Sequence, residues 1–126
     1  MIFSNILLID DDEDDQEIFQ SAVQQISTSV QYKYLNSARE ALQKLSSGEV
    51  SPEVIFLDLN MPLMSGQEFL GQIKQNELLS TIPVIIFSTS SDPTTKELTK
   101  HLGAHDFITK PSDFDQLVDL LKPLIR

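Results

Sequence analysis

The chain has no cysteine, which excludes a disulfide framework and a thiolate zinc site. Positive charge is scarce as well: 9 Lys plus Arg stand against 19 Asp plus Glu, a formal charge of −10. A surface of that sign repels the phosphates that supply most nucleic-acid affinity, so direct nucleic-acid binding is not expected. No apolar stretch approaches the roughly 20 residues of a membrane span. The start, Met1-Ile2-Phe3-Ser4-Asn5, lacks the basic region and apolar run of a secretory signal. No linker or low-complexity segment stands out. What remains is a composition of 40% hydrophobic and 22% charged residues, close to the globular average. The expectation is one cytoplasmic domain over residues 1–126, long enough to bury a core and leaving no room for an output domain.

Asn5 to Ile9, Val54 to Leu57 and Pro83 to Phe87 are continuous apolar runs and read as strands buried on both faces. Between them, helical spacing appears at Ile18, Phe19, Ala22, Val23 and Ile26, at Ala38, Ala41, Leu42 and Leu45, and at Phe69, Leu70 and Ile73. Ser37 with Glu40 and Ser65 with Glu68 fit the capping box. Asp92 before Pro93 opens another helix, and Gly103 suits the left-handed turn that closes it. Val30 to Leu35 alternates polar and apolar residues and predicts a strand at a sheet edge, while Phe107-Ile108 forms a last short strand. The final helix, from about Asp113 to Lys122, is expected to bury Phe114, Leu117, Val118 and Leu121, with Leu120 off that stripe.

Five strands alternating with five helices predict a doubly wound α/β fold, a flavodoxin-like parallel sheet in the order 2-1-3-4-5. In such a sheet the carboxyl ends of the strands gather at one rim, where ligands bind. Asp10 and Asp11 end one buried run, Asp58 ends another, Ser88 a third, and Lys110-Pro111 follows the last strand. An acidic pocket with one lysine suits phosphoryl chemistry.

Taken alone, the six consecutive acids Asp10 to Asp15 read as a solvated helix start, favoured by the helix dipole. Asp58 changes the balance. Carboxylates a few Å apart repel by ~4 kcal/mol per pair at an effective dielectric of 20, so three of them ask for a divalent cation. Oxygen ligands favour Mg²⁺. Ser88 can donate to a phosphoryl oxygen, with Thr89 as near competitor, and Lys110 supplies a mobile positive charge. The peptide before Pro111 is a candidate for the cis form, which would aim the lysine inward.

Together Ile-Leu-Leu-Ile-Asp10-Asp11, Asp58-Leu-Asn60-Met-Pro62-Leu-Met-Ser-Gly66, Ile-Ile-Phe-Ser88 and Phe107-Ile-Thr-Lys110-Pro111 resemble the receiver domains of response regulators, along essentially the whole chain. The resemblance implies that Asp58 is the phosphoacceptor, fed by a phosphohistidine on a sensor histidine kinase or a histidine phosphotransfer protein. Asp11, Asp58 and the backbone of Asn60 would ligate Mg²⁺, or Mn²⁺ in its place, with Asp10 assisting through water. Ser88 and Lys110 would bind the phosphoryl group. Ser88 would move toward it and Phe107 turn inward behind, reshaping the face of the fourth helix, fifth strand and fifth helix for a downstream protein target. A phosphorylation-dependent homodimer is compatible with that role.

Thr89 departs from the small residue most relatives carry after the switch hydroxyl, and its β-branch predicts slow phosphoryl exchange at Asp58. Asp12, Glu13 and Asp14 have no evident part. Among rivals, a haloacid-dehalogenase-like phosphatase shares the apolar strand ending in Asp10-Asp11-Asp12, but Glu13-Asp14 replaces the expected Gly-Thr and no later acidic pair follows Lys110. A calcium loop fails because Asp15 stands where glycine is needed and Ser21 where glutamate is needed. His101 and His105 read as surface residues, since Gly103 lies between them. A pseudo-receiver, which docks without being phosphorylated, usually lacks an acid or the lysine, and every such position is filled here.

Overall fold

In the computed structural model, which describes residues 2–126, three strands are almost wholly removed from solvent. They are β1 (Asn5–Ile9), β3 (Val54–Leu57) and β4 (Val84–Ser88). The flanking strands are β2 (Gln31–Leu35) and β5 (Asp106–Thr109). Helices α1 (Glu13–Ile26), α2 (Ala38–Ser46), α3 (Gly66–Gln75), α4 (Pro93–His101) and α5 (Phe114–Leu121) alternate with them. The sheet is parallel throughout, in the order β2-β1-β3-β4-β5. Parallel partners need crossovers, and helices covering both faces explain why the central strands carry no polar alternation.

Because side chains alternate along a strand, each strand feeds two cores. Ile6, Leu8, Val54, Phe56, Ile85 and Phe87 pack with Phe19 and Val23 of α1 and Leu117 and Leu121 of α5. Phe19 meets Phe56 edge-on at 5.0 Å and Phe87 at 5.4 Å between centroids. Leu7, Ile9, Ile55, Leu57, Val84 and Ile86 pack on the other side with α2 and α3.

The helix starts follow their side chains. Ser65 and Glu68 form a full capping box, Asp92 caps α4 ahead of Pro93, and Gly103 takes φ +104° after α4. At Ser37 only half of the expected box forms: its hydroxyl accepts from Glu40 N–H, while the Glu40 carboxylate lies 3.9 Å from Lys44 on the same helix. Asp12 is the N-cap of α1, accepting from the Asp14 N–H at 2.9 Å, which gives it a structural role the sequence did not reveal.

Two expected core positions face outward. Ile18 is 46% exposed because Gln16, not Ile18, joins Phe19, Ala22 and Val23 on the inward face of α1. Phe114 is 37% exposed because it opens α5 above the core, whereas Leu117, Val118 and Leu121 are buried. Leu120 is exposed as expected.

Candidate functional site

The carboxyl ends of β1, β3 and β5 carry Asp10, Asp58 and Lys110 to one rim. Alternation explains their meeting: Asp10 continues the line of Ile6 and Leu8, Asp58 that of Val54 and Phe56, and Lys110 that of Ile108, all on the α1–α5 side. The Lys110 ammonium lies 2.9 Å from Asp10 Oδ2 and 3.7 Å from Asp58 Oδ1. Carboxylate oxygens of Asp10, Asp11 and Asp58 lie within 4.8 Å of one another. Asp10 is fully buried, Asp58 is 6% exposed, and Asp11 faces solvent.

Asp10 is held from several sides. Its Oδ1 accepts from the Asp12 N–H at 3.0 Å, and its backbone carbonyl accepts from Gln16 Nε2. The same Gln16 nitrogen donates to Asn36 Oδ1, and Tyr32 Oη donates to the Gln16 carbonyl at 3.1 Å. Gln16 therefore stands at an apolar position of α1 for a reason: it ties the first turn of the helix to the end of β1.

The electrostatics follow from crowding. Burial pushes the Asp58 carboxyl up to about 6, and Asp10 and Asp11 push the same way. The Lys110 charge and the Asn60 backbone N–H pull against that rise. Asp10 is also raised, chiefly by burial. Burial alone would lower Lys110, but its bonds to Asp15 and Asp10 and the field of Asp58 outweigh it, so the ammonium stays charged. Negative charge remains in excess around one cation. All the available donors are oxygens, so the cluster has the composition expected for a hard divalent ion.

Other expected residues fall close by. Ser88 is fully buried at the end of β4, its hydroxyl accepting from the Ser90 N–H at 3.3 Å. Thr89 is exposed. Phe107 is half-buried against the core of the α2–α3 side, with the Lys96 ammonium 5.5 Å from its ring centroid. Asn60 is exposed in the loop after β3.

One expectation fails. No described peptide bond is cis, so Lys110–Pro111 is trans. The lysine needs no such reversal, because its N–H donates to the Ser88 carbonyl at 2.7 Å and prolongs the β4–β5 ladder, from which the long side chain reaches the acids. One residue was missed: Asp15 Oδ2 lies 2.7 Å from Lys110 Nζ, the lysine's shortest contact. Its signal was present in helical spacing, since Asp15, Phe19 and Ala22 share a face at i, i+4, i+7.

Known proteins provide an independent comparison. The family model for the response regulator receiver domain matches residues 6–122. The chain is 30% identical over 118 residues to the probable methanogenesis regulatory protein FilR2 of Methanothrix harundinacea, covering 89% of this chain and 75% of that protein. Other curated relatives are longer, and the chain spans as little as 20% of their length. Among solved structures, the phosphorylated cyanobacterial phytochrome response regulator RcpA superposes with a TM-score of 0.87 at 29% identity, over 96% of this chain and 90% of that one. The Mn²⁺-bound form of response regulator Rcp1 gives 0.83 at 26% identity, over 94% and 90%. A family match over nearly the whole described length, on a sheet of the same order, makes this chain a member of the response regulator receiver domains of two-component signalling.

Proposed function

We propose that the chain is a phosphoacceptor switch in which Asp58 takes a phosphoryl group from a phosphohistidine. The observation that carries this reading is the near-buried Asp58 at the end of β3, with Lys110 at 3.7 Å and the Asp10 and Asp11 oxygens within 4.8 Å. With its carboxyl at about 6, Asp58 is mostly ionised at neutral pH, yet more basic than an ordinary aspartate. It therefore keeps nucleophilic strength. An Asp58 oxygen forms the new O–P bond as the donor P–N bond breaks. The imidazole leaves with that electron pair and takes up a proton.

Asp11, Asp58 and the backbone of Asn60 would hold Mg²⁺, or Mn²⁺ in its place, with Asp10 alongside. Bound there, the ion supplies charge neutralisation for the transferred oxygens. The Mn²⁺-bound relative supports an ion in such a site. Lys110 contributes positive charge from the opposite element, and Ser88 offers a hydroxyl whose only partner among the described residues is a long bond from the Ser90 N–H.

The output would leave through α4, β5 and α5 toward a downstream protein, with a sensor histidine kinase or histidine phosphotransfer protein as donor. A hollow of about 460 Å³ beside α4, lined by Pro93, Lys96, Thr99, Ala104 and Phe107, adjoins the Phe107 ring on that face. Driving a switch from 1:99 to 99:1 takes about 5.5 kcal/mol, within reach of a new dianion with several charge-assisted bonds.

The test is intact mass after incubation with acetyl phosphate, with and without Mg²⁺, on the wild type and Asp58→Ala. A single phosphoryl adduct that requires Mg²⁺ and disappears in the variant is expected. No adduct on a folded wild type would overturn the reading in favour of phosphorylation-independent docking.

A further inference from the structure

The closest counter-charge to Lys110 belongs to none of the strand ends. Asp15, in the first turn of α1, holds the ammonium at 2.7 Å, against 2.9 Å for Asp10 and 3.7 Å for Asp58. Two of the three ammonium protons are therefore committed to Asp15 and Asp10 by hydrogen bonds, and none is bonded to Asp58. Resting on the phosphoacceptor reading above, we propose that Asp15 is a positioning residue that draws Lys110 toward α1 and competes with the phosphoryl group for it, slowing phosphorylation of Asp58.

The local structure makes Asp15 a fixed competitor. Asp12 caps α1 and sets its register, and Phe19, one turn on, is fully buried against Phe56 and Phe87. The Asp15 side chain keeps 30% of its surface exposed, whereas that of Lys110 keeps 11%. Asp15 can therefore be rehydrated when the lysine leaves it, which makes this contact the one of the two hydrogen bonds that can be surrendered. Asp10 cannot follow, being fully buried. A phosphoryl group on Asp58 would thus recruit the lysine from Asp15, and the cost of that exchange enters the rate. Asp14, the neighbouring first-turn acid, makes no contact with Lys110 and carries the same charge, which separates this specific effect from general repulsion of an anionic donor.

The experiment measures initial phosphorylation rates with acetyl phosphate and Mg²⁺ by intact mass; the O–P bond of acetyl phosphate breaks, acetate leaves with its electron pair and the Asp58 O–P bond forms. Asp15→Asn is expected to react on the order of two- to fivefold faster than Asp14→Asn, the range a partly exposed ion pair can hold back. Asp15→Glu should return the rate toward wild type. In a Lys110→Ala background the gain from Asp15→Asn should vanish, a result that a merely structural role for Asp15 would not give. Equal rates for Asp15→Asn and Asp14→Asn, a slower Asp15→Asn, or a gain that persists without Lys110 would each overturn the inference. A wild type that takes no adduct overturns the phosphoacceptor reading and this inference with it, whereas an adduct with unchanged rates overturns only the inference.

Discussion

Replacing Asp58 by asparagine should stabilise the metal-free fold at neutral pH and lose that advantage in acid. Burial raises the Asp58 carboxyl from 3.8 to about 6, so between those values the folded protein binds a proton that the unfolded chain has already released. Stability contributed by this group therefore falls as pH rises through that window, and the loss is complete above about pH 6. At about 1.4 kcal/mol per pH unit the penalty is on the order of 3 kcal/mol. Asparagine carries no charge to desolvate, and its amide can donate to the neighbouring carboxylates. Lys110 keeps its two hydrogen-bonded acids in the variant. Urea unfolding in EDTA from pH 4.5 to 8 should thus show Asp58→Asn gaining roughly 1–3 kcal/mol over the wild type above pH 6.5, falling to about a third of that gain at pH 4.5, which is still above the ordinary carboxyl value of 3.8. Asp58→Asn equal to or weaker than the wild type above pH 6.5, or stronger by the same margin at every pH, would refute the reasoning.

Three further outcomes are expected. Thr89→Ala should shorten the lifetime of the aspartyl phosphate, measured by loss of the intact-mass adduct, because Thr89 is an exposed, β-branched side chain directly after Ser88; an unchanged lifetime disposes of the idea. Leu63→Gly should raise the unfolding free energy from urea titration by up to about 1 kcal/mol, since Leu63 takes φ +69° while 87% exposed and so bears left-handed strain without packing in return. Gly66→Ala should lower stability by about 1–3 kcal/mol, because a Cβ there would stand 2.5 Å from the Asp58 carbonyl oxygen and 2.8 Å from Leu59 Cα, both backbone atoms that cannot yield easily. The last also predicts weaker Mg²⁺ binding by calorimetry, as the same displacement moves the end of β3.

Most of the sheet was legible because three strands are buried on both faces and so appear as unbroken apolar runs. Asp10 and Asp58 were legible because each directly follows such a run, Lys110 because it follows the short last strand, and parallel strands bring those ends together. Legibility stopped where one residue type repeats. Within Asp10 to Asp15 every position is acidic, so composition could not separate the buried Asp10 from the N-cap Asp12 or from Asp15 bound to the lysine. Ile18 was misjudged for a related reason: hydrophobicity favours burying the isoleucine, but the carbonyl at the end of β1 and Asn36 both accept from Gln16, and that demand sets which face of α1 turns inward. The trans peptide at Pro111 was hidden because the reach of a lysine side chain can do what a reversed backbone would.

Strand parity also shows how the site is divided. Asp10, Asp58 and Lys110 extend the side-chain lines that fill the core beneath α1 and α5. Ser88 extends the line of Val84 and Ile86, and Phe107 packs on that same opposite side, beyond which α4 lies with Lys96 over the ring. On the proposed reading, acceptance and readout would begin on different faces of one sheet. On that reading a charge placed on Asp58 would pass its effect across the end of β4 to reach Phe107, and one link between the two faces is backbone: the Ser88 carbonyl accepts from the Lys110 N–H at 2.7 Å. That bond couples the lysine beside Asp58 to the strand that carries the Ser88 hydroxyl. Small displacements there can be transmitted because β4 is buried on both faces and cannot deform independently of its neighbours.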